Sequence, residues 1–388
     1  MLLWKIALFG SWLLIAFNYA GYALIALILN KLKPYKGVRT ANTAPFPPLT
    51  FIVAAYNEAG CIRAKIENCL AQDYPAGLVE WLFVTDGSTD ETPEIVRSHP
   101  AVRLLHDPAR GGKSAALNRA VAAAAHDLII CSDANTTLNP DAVTLIARHY
   151  ADPKVGGVSG EKRVIKAGPG SAADASVGEG EGAYWKYESA LKRIDSAFYS
   201  VVGAAGELFS FRKELYTPVD ASIVLDDFVI SMRVAAAGYR VIYEPGACAV
   251  ETPSFSMEDE RKRKVRIAAG GFQSVALLRG AVSPWRYPRL YYLYISHRVL
   301  RWVASPFCLV LSVVAGAVLC MADPHPVYRW LWAGQVVFYG LGLASPVLPL
   351  KAAKLPGYFI FMNLSVLQGF IRWCRGRQPG AWEKSRRA

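Results

Sequence analysis

The chain has 388 residues, is 53% hydrophobic and 19% charged, and carries a net charge of +12. That length gives one or two domains with real cores. Seven scattered cysteines, without a Cys-x-x-Cys pair, exclude a disulfide-framed scaffold and offer no zinc site. The basic excess suits an anionic lipid leaflet or phosphorylated ligands, and because it gathers beside apolar segments it argues against nucleic acid.

Met1–Asn30 holds Lys5 as its sole ionised side chain. A stretch of roughly 20 apolar residues spans the hydrocarbon of a bilayer, so this segment is predicted to be a transmembrane helix. No small-x-small cleavage site follows, which favours a retained anchor over a signal peptide. Lys31, Lys33, Lys36 and Arg39 form a basic linker over 31–44. Basic flanks face the cytoplasm, which predicts an outward N-terminus and a cytoplasmic domain over 45–253.

That middle region alternates strand and helix. LTFIVAAYN reads as a buried strand and Gly60–Leu70 as a helix; VEWLFVT is a second strand ending in Asp86-Gly-Ser-Thr-Asp90. Helix Glu91–Ser98, strand VRLLH, helix Lys113–Ala125, strand DLIICS and helix Asn139–Tyr150 follow. Alternation of this kind predicts an α/β domain, a mostly parallel sheet flanked by helices, with ligands at the carboxyl ends of the strands. Glu58, Asp86 and Asp133 all fall just past such ends. Each alone is a turn or capping residue. Three acids at one sheet edge would repel unless a cation or ligand donors belong there. The dinucleotide fingerprint G-x-G-x-x-G is missing after the first strand, and Asp107 stands where a P-loop needs glycine.

Lys166–Gly182 is rich in Gly, Ala and Ser and reads as a mobile loop; Ala183–Ile194 reads as a helix whose Trp185 and Tyr187 suit core packing better than sugar stacking. Leu225-Asp226-Asp227-Phe228 opens a helix running to Gly238, where two acids favour the positive end of the dipole. Residues 254–300 are expected to form amphipathic interface helices, and His297–Trp302 the snorkelling flank of a span. Two to three spans are expected over 301–374, from Trp302–Ala322, Tyr328–Leu350 and Leu355–Cys374, before a basic tail over 375–388. Pro346 and Pro349 make the middle one the doubtful span, and four crossings would place the basic tail outside, against the charge rule.

AAYNE, FVTDGSTDET, RGGKSAALN, SDANTTLNPDA and LDDFVISMRVAAAGYRVIYEP, in that order and spacing, resemble the motifs of family 2 glycosyltransferases with the GT-A fold. The pattern of spans is similar to that of members making extracellular polysaccharide. The resemblance implies a multi-pass protein of the plasma (inner) membrane. It would move sugar, with inversion, from a nucleotide-diphospho-sugar, most often a UDP-sugar, to a lipid-linked or glycan acceptor. It implies that Tyr56, Glu58 and Asp86 cradle base and ribose, and that Lys113 lies near the donor. Asp133 matches the first acid of D-x-D, holding Mg²⁺ or Mn²⁺ on the diphosphate. Asn135 replaces the second acid, an uncharged ligand for such an ion. Asp227 matches the general base, and Gly203 and Gly206 lie in a segment bordering the acceptor. Arg263-Lys-Val-Arg266-Ile267 stands where processive members carry Q-x-x-R-W, so Arg263 and Arg266 are implied on the diphosphate. Ile267 lacks the sugar-stacking ring, which implies single or short additions. Two rivals stay open: a membrane nucleotidyltransferase, which would release pyrophosphate, and a non-catalytic polysaccharide-binding or export subunit, favoured by Asn135.

Overall fold

The computed structural model describes residues 1–34, 46–164, 175–252, 256–345 and 350–376. Lys36, Arg39, Pro346, Pro349, most of the basic tail and the first half of the Gly/Ala/Ser-rich segment fall outside these residues.

Among the described residues, eight strands form one sheet in the order β3-β2-β1-β4-β7-β6-β8-β5. They are β1 (Leu49–Ala55), β2 (Val79–Asp86), β3 (Arg103–Asp107), β4 (Leu128–Asp133), β5 (Thr137–Leu138), β6 (Val155–Val164), β7 (Leu208–Arg212) and β8 (Arg240–Glu251). The first four run parallel, with Ala54 opposite Asp133 and Ala55 opposite Thr85, so β1, β2 and β4 end at one edge. β7 runs antiparallel to both β4 and β6, while β6 and β8 are parallel. The mostly parallel sheet expected from the alternation is therefore confined to the first half, and the whole is mixed. β6 escaped the sequence reading because it contains glycines. Gly156 is needed there: a Cβ would lie 2.5 Å from that of Tyr239.

Strand β1 is buried along its whole length, with side chains alternating between two cores. Helix α1 (Ala59–Leu70) covers one face with Ile62, Ile66 and Cys69; α2 (Lys113–Ala123) and α3 (Asp226–Ala236) cover the other. The expected helix Asn139–Tyr150 contracts to Ala142–Ala147, followed by a short 3₁₀ turn. Helix α4 (Ala175–Phe198) begins inside the segment read as a loop, because its alanines and glutamates favour helix more than its glycines oppose it.

Among the described residues, two helices are long and apolar enough to cross a membrane, Leu2–Leu32 and Pro288–Ala322. The second extends back through residues expected to be interfacial. Both contain π-helical turns, Phe17–Gly21 and Tyr294–Ala304. Helices α5 (Met257–Leu277), α6 (Pro326–Ala344) and α7 (Lys351–Cys374) complete this part, with Pro356 inside α7. Leu3, Leu13, Phe307, Val310, Trp330, Val337, Leu343 and Leu355 all expose large apolar side chains, a surface that water does not favour and lipid does.

The sheet domain and these helices share one core, which includes Tyr22, Phe228, Phe272 and Trp302. Polar clamps cross the junction. His297 Nδ1 is 2.5 Å from Asp195, Arg301 pairs with Glu188, the Tyr187 hydroxyl donates to Tyr19 O at 2.6 Å, and Arg289 donates to Lys33 O at 2.7 Å.

Candidate active site

The edge where β1, β2 and β4 end carries two loops locked together. Asn57 adopts φ 54°, the left-handed region, and its Oδ1 accepts from Thr89 N at 2.8 Å, while Asn57 N donates to Ser88 Oγ at 3.1 Å. Asparagine tolerates this conformation. Glu58 precedes α1 but makes no capping bond with its side chain. That duty falls to Asp90, whose Oδ2 accepts from Ala59 N at 3.1 Å. The Tyr56 ring lies under the Arg110 guanidinium at 3.9 Å. Asp86 is buried: its carboxylate accepts from Gly112 N at 2.6 Å and from Arg119 Nη2 at 3.0 Å. Asp86 thus holds the Gly111–Gly112 turn that starts α2, and Lys113 leads that helix.

Lys113 Nζ lies 2.7 Å from Asp133 Oδ1. The helix-opening lysine, unfavourable beside a positive dipole end, is stabilised by this carboxylate and by the fields of Asp226 and Asp227. Asn135 is half-buried, and its side chain makes no hydrogen bond to a described residue. Behind it, the buried Lys65 ammonium donates to Ser132 Oγ at 2.8 Å and Thr136 O at 3.0 Å, bracing the turn between Asp133 and Asn135. Burial pulls the pKa of Lys65 down. In sequence it was hidden among Ile62, Ile66 and Cys69 on the inward stripe of α1.

No cluster of three His, Cys, Asp or Glu side chains able to hold a metal occurs among the described residues. One carboxylate and one free amide oxygen at a strand end nonetheless fit a hard divalent ion whose other ligands are phosphate oxygens and water.

Asp227 stands at the start of α3, its Oδ1 accepting from its neighbour Phe228 N at 2.8 Å. Burial and the adjacent Asp226 push its carboxyl up to about 7, against the opposing field of Lys113. Gly206 is pressed against it: a Cβ there would come within 2.9 Å of Asp227 Oδ2. Asp227 opens on a cavity of about 180 Å³ walled by α4, the 203–207 segment, α5, the π-helical turn of the second long helix, and α7. Arg263 and Ile267 line this cavity, whereas Arg266 is half-buried outside it. Arg263 is gripped by Glu260 at 2.9 and 3.1 Å, on the side of Asp227 rather than beside Tyr56 and Asp86.

Trp185 and Trp302 also line the cavity. Trp302 is 9% exposed and packs 5.4 Å from Phe228, so it is a cavity wall and not a snorkelling flank. Ile267 lacks a ring, but a neighbouring helix supplies one to the same space. Spacing along one helix cannot reveal such a substitution. Glu188, Lys192 and Arg298 on this wall were likewise missed by motif matching.

A sheet of this order, with acids at the parallel strand ends and a carboxyl at the head of a following helix, defines the GT-A class of fold. The solved mannosyltransferase PcManGT from Pyrobaculum calidifontis, in complex with GDP-Man and Mn²⁺, superposes with a TM-score of 0.72 at 25% identity, covering 95% of this chain and 98% of that one. Residues 50–217 match the glycosyl transferase family 2 domain. Among curated relatives, poly-beta-1,6-N-acetyl-D-glucosamine synthase of Staphylococcus aureus (strain MSSA476) is 28% identical over 256 residues, 64% of this chain and 60% of that protein. The synthase of the same name from Staphylococcus epidermidis is 25% identical over 280 residues, 69% of this chain and 66% of its own length. The match thus spans about three fifths to two thirds of these relatives.

Proposed function

We propose that the protein is an inverting glycosyltransferase that moves a sugar from a nucleotide-diphospho-sugar to a membrane-associated acceptor, in extracellular polysaccharide or glycolipid synthesis. The observation that carries this reading is the setting of Lys113. It touches Asp133 at the strand edge and feels Asp226 and Asp227 at the mouth of the cavity. A donor diphosphate and an acceptor hydroxyl brought to either side of that lysine would meet there.

Tyr56, Glu58 and Asp86 would face base and ribose, with Asp86 acting chiefly by holding the turn before Lys113. Asp133 and Asn135 would hold Mg²⁺ or Mn²⁺. Bound there, such an ion supplies Lewis-acid stabilisation of the leaving diphosphate. Lys113 would transfer its charge from Asp133 to phosphate oxygens. Asp227 accepts the acceptor's hydroxyl proton as that oxygen attacks the anomeric carbon. The name of the Pyrobaculum enzyme supports a nucleotide-sugar donor with a divalent ion, and the synthase relatives support a polymer-forming or polymer-priming role. The two long apolar helices and the exposed apolar belt support a membrane location, and the basic residues that follow the first helix support a sheet domain on the cytoplasmic side.

A panel of UDP- and GDP-sugars incubated with the membrane-reconstituted protein tests the reading. Release of nucleoside diphosphate from one donor is expected. Pyrophosphate release instead would favour a nucleotidyltransferase, and no cleavage of any donor a non-catalytic subunit.

Gly206→Ala is a sharper probe of geometry. The added methyl would push the Asp227 carboxyl out of place, and a shift of about 1 Å costs on the order of 10²-fold in turnover. Turnover should fall while the KM for donor stays within about twofold. An unchanged kcat would show that Asp227 does not act from this position.

A further inference from the structure

The cavity beside Asp227 has an unbalanced wall. Glu188 is held by Arg301 and lies 3.4 Å from Arg298, and Glu207 takes Lys162 at 2.5 Å. Arg263 and Lys264 both engage Glu260, at 2.9 and 3.4 Å. Among the described residues of the wall, each carboxylate apart from Asp227 therefore has its cation, and three of the four cations have a carboxylate. The fourth is Lys192. It is 4% exposed and lines the cavity, yet among the described residues its ammonium makes no hydrogen bond and no ion pair. Its ammonium stands over two ring faces, Trp185 at 5.8 Å and Tyr243 at 5.9 Å. Glu161, the acid that acts on it most strongly, is already engaged by Ser189 Oγ at 2.6 Å and by the Tyr243 hydroxyl at 2.5 Å.

A desolvated ammonium with no carboxylate in direct contact is costly, and burial pulls its pKa down against the more distant field of Glu161. Sugar hydroxyls would accept its hydrogen bonds but leave its charge unmatched, whereas an oxyanion matches both. Trp185 and Trp302 line the same cavity, an apolar aromatic wall of the kind that suits a sugar ring. Tyr56, Glu58, Asp86 and Asp133 are not on its wall, so the ligand in question is the acceptor and not the donor.

We infer that this cavity takes an acceptor bearing an anionic group, a carboxylate or a phosphate, with Lys192 as its counter-ion. The inference rests on the transferase reading of the site. The oxyanion would sit against Lys192 with the Arg298 guanidinium nearby, and the reacting hydroxyl would reach Asp227. Two sources share this chemistry: an acidic sugar, and a phosphate joining the glycan to a lipid.

Three probes separate the possibilities: octyl glucoside, octyl glucuronide, and glucose joined to octanol through a phosphodiester. Their binding to the full-length reconstituted protein is read by quenching of tryptophan fluorescence. At least one anionic probe is expected to bind about tenfold more tightly than the neutral one, with a preference that weakens as salt rises. The glucuronide winning indicates an acidic sugar, the phosphodiester a lipid-linked phosphate. Lys192→Met should abolish the preference and Lys192→Arg, which keeps the charge, should retain it. Equal affinity for all three probes, or a preference that survives in Lys192→Met, overturns the assignment. Donor cleavage by the wild-type protein is measured in parallel. Cleavage with equal probe affinity removes only the anionic site. Absence of cleavage with every donor removes the transferase reading and this inference with it.

Discussion

Asp227→Asn is expected to lower turnover by about 10²- to 10⁴-fold while donor binding persists. Asparagine keeps the size and much of the capping ability of aspartate, so a residue acting only as a helix cap would lose little. The pH dependence gives a second readout. A base must be ionised to accept a proton, and the Asp227 carboxyl is pushed up to about 7 by burial and by Asp226. Wild-type kcat/KM should therefore climb as pH rises through about 7 and level off above it. The sign for stability is the reverse. In the unfolded chain the group titrates near the ordinary aspartate value of about 3.9. Between that value and about 7 the folded state binds more protons than the unfolded state, so ionising Asp227 destabilises the fold as pH rises through that window. Asp227→Asn removes this term. At pH above the window its melting temperature should match or exceed that of wild type, although its activity is lost. Turnover within a few-fold of wild type, or a pH profile flat across neutrality, would reject the base.

Asp133→Ala should abolish transfer in a protein that still folds and inserts into membranes, and EDTA should do the same to wild type. Asp133 is the one carboxylate at the turn braced by Lys65, and Asn135 adds only a neutral ligand. Losing a metal clamp removes several kcal/mol of transition-state stabilisation, which is a loss of turnover by orders of magnitude. The same substitution leaves Lys113 without its 2.7 Å partner. Asp133→Asn, which preserves shape and a hydrogen-bond acceptor, separates loss of charge from loss of packing. Recovery of activity on adding Mn²⁺ after EDTA is the expected control. Full activity in EDTA, or in Asp133→Ala, would falsify metal ligation by this residue.

Much of this protein is legible in one dimension. Short β-branched runs such as LTFIVAA and VEWLFVT make strands wherever two cores cover them, and the turns after them must hold polar residues. Asp86, Asp133 and the Asp226–Asp227 pair stand out in the sequence because each sits at a boundary between elements, where local chemistry and spacing carry the signal. The apolar first segment was legible for the same reason, since composition over some 20 residues decides whether water or lipid is the better solvent.

Tertiary structure decided what depends on juxtaposition between distant segments. The roles of Asp86 and Asp90 in holding loops, the bracing of the Asp133 turn by Lys65, and the contact of Gly206 with Asp227 join segments that no local pattern links. The cavity is the clearest case. Position 267 reads as a missing ring, yet Trp302, from a helix assigned to the membrane edge, lines the same cavity from across the fold. Lys192 belongs to none of the motifs read from the sequence. Only the folded chain shows it buried, with the wall carboxylates Glu188 and Glu207 already paired to other cations, because burial and charge balance are properties of a neighbourhood and not of a sequence window.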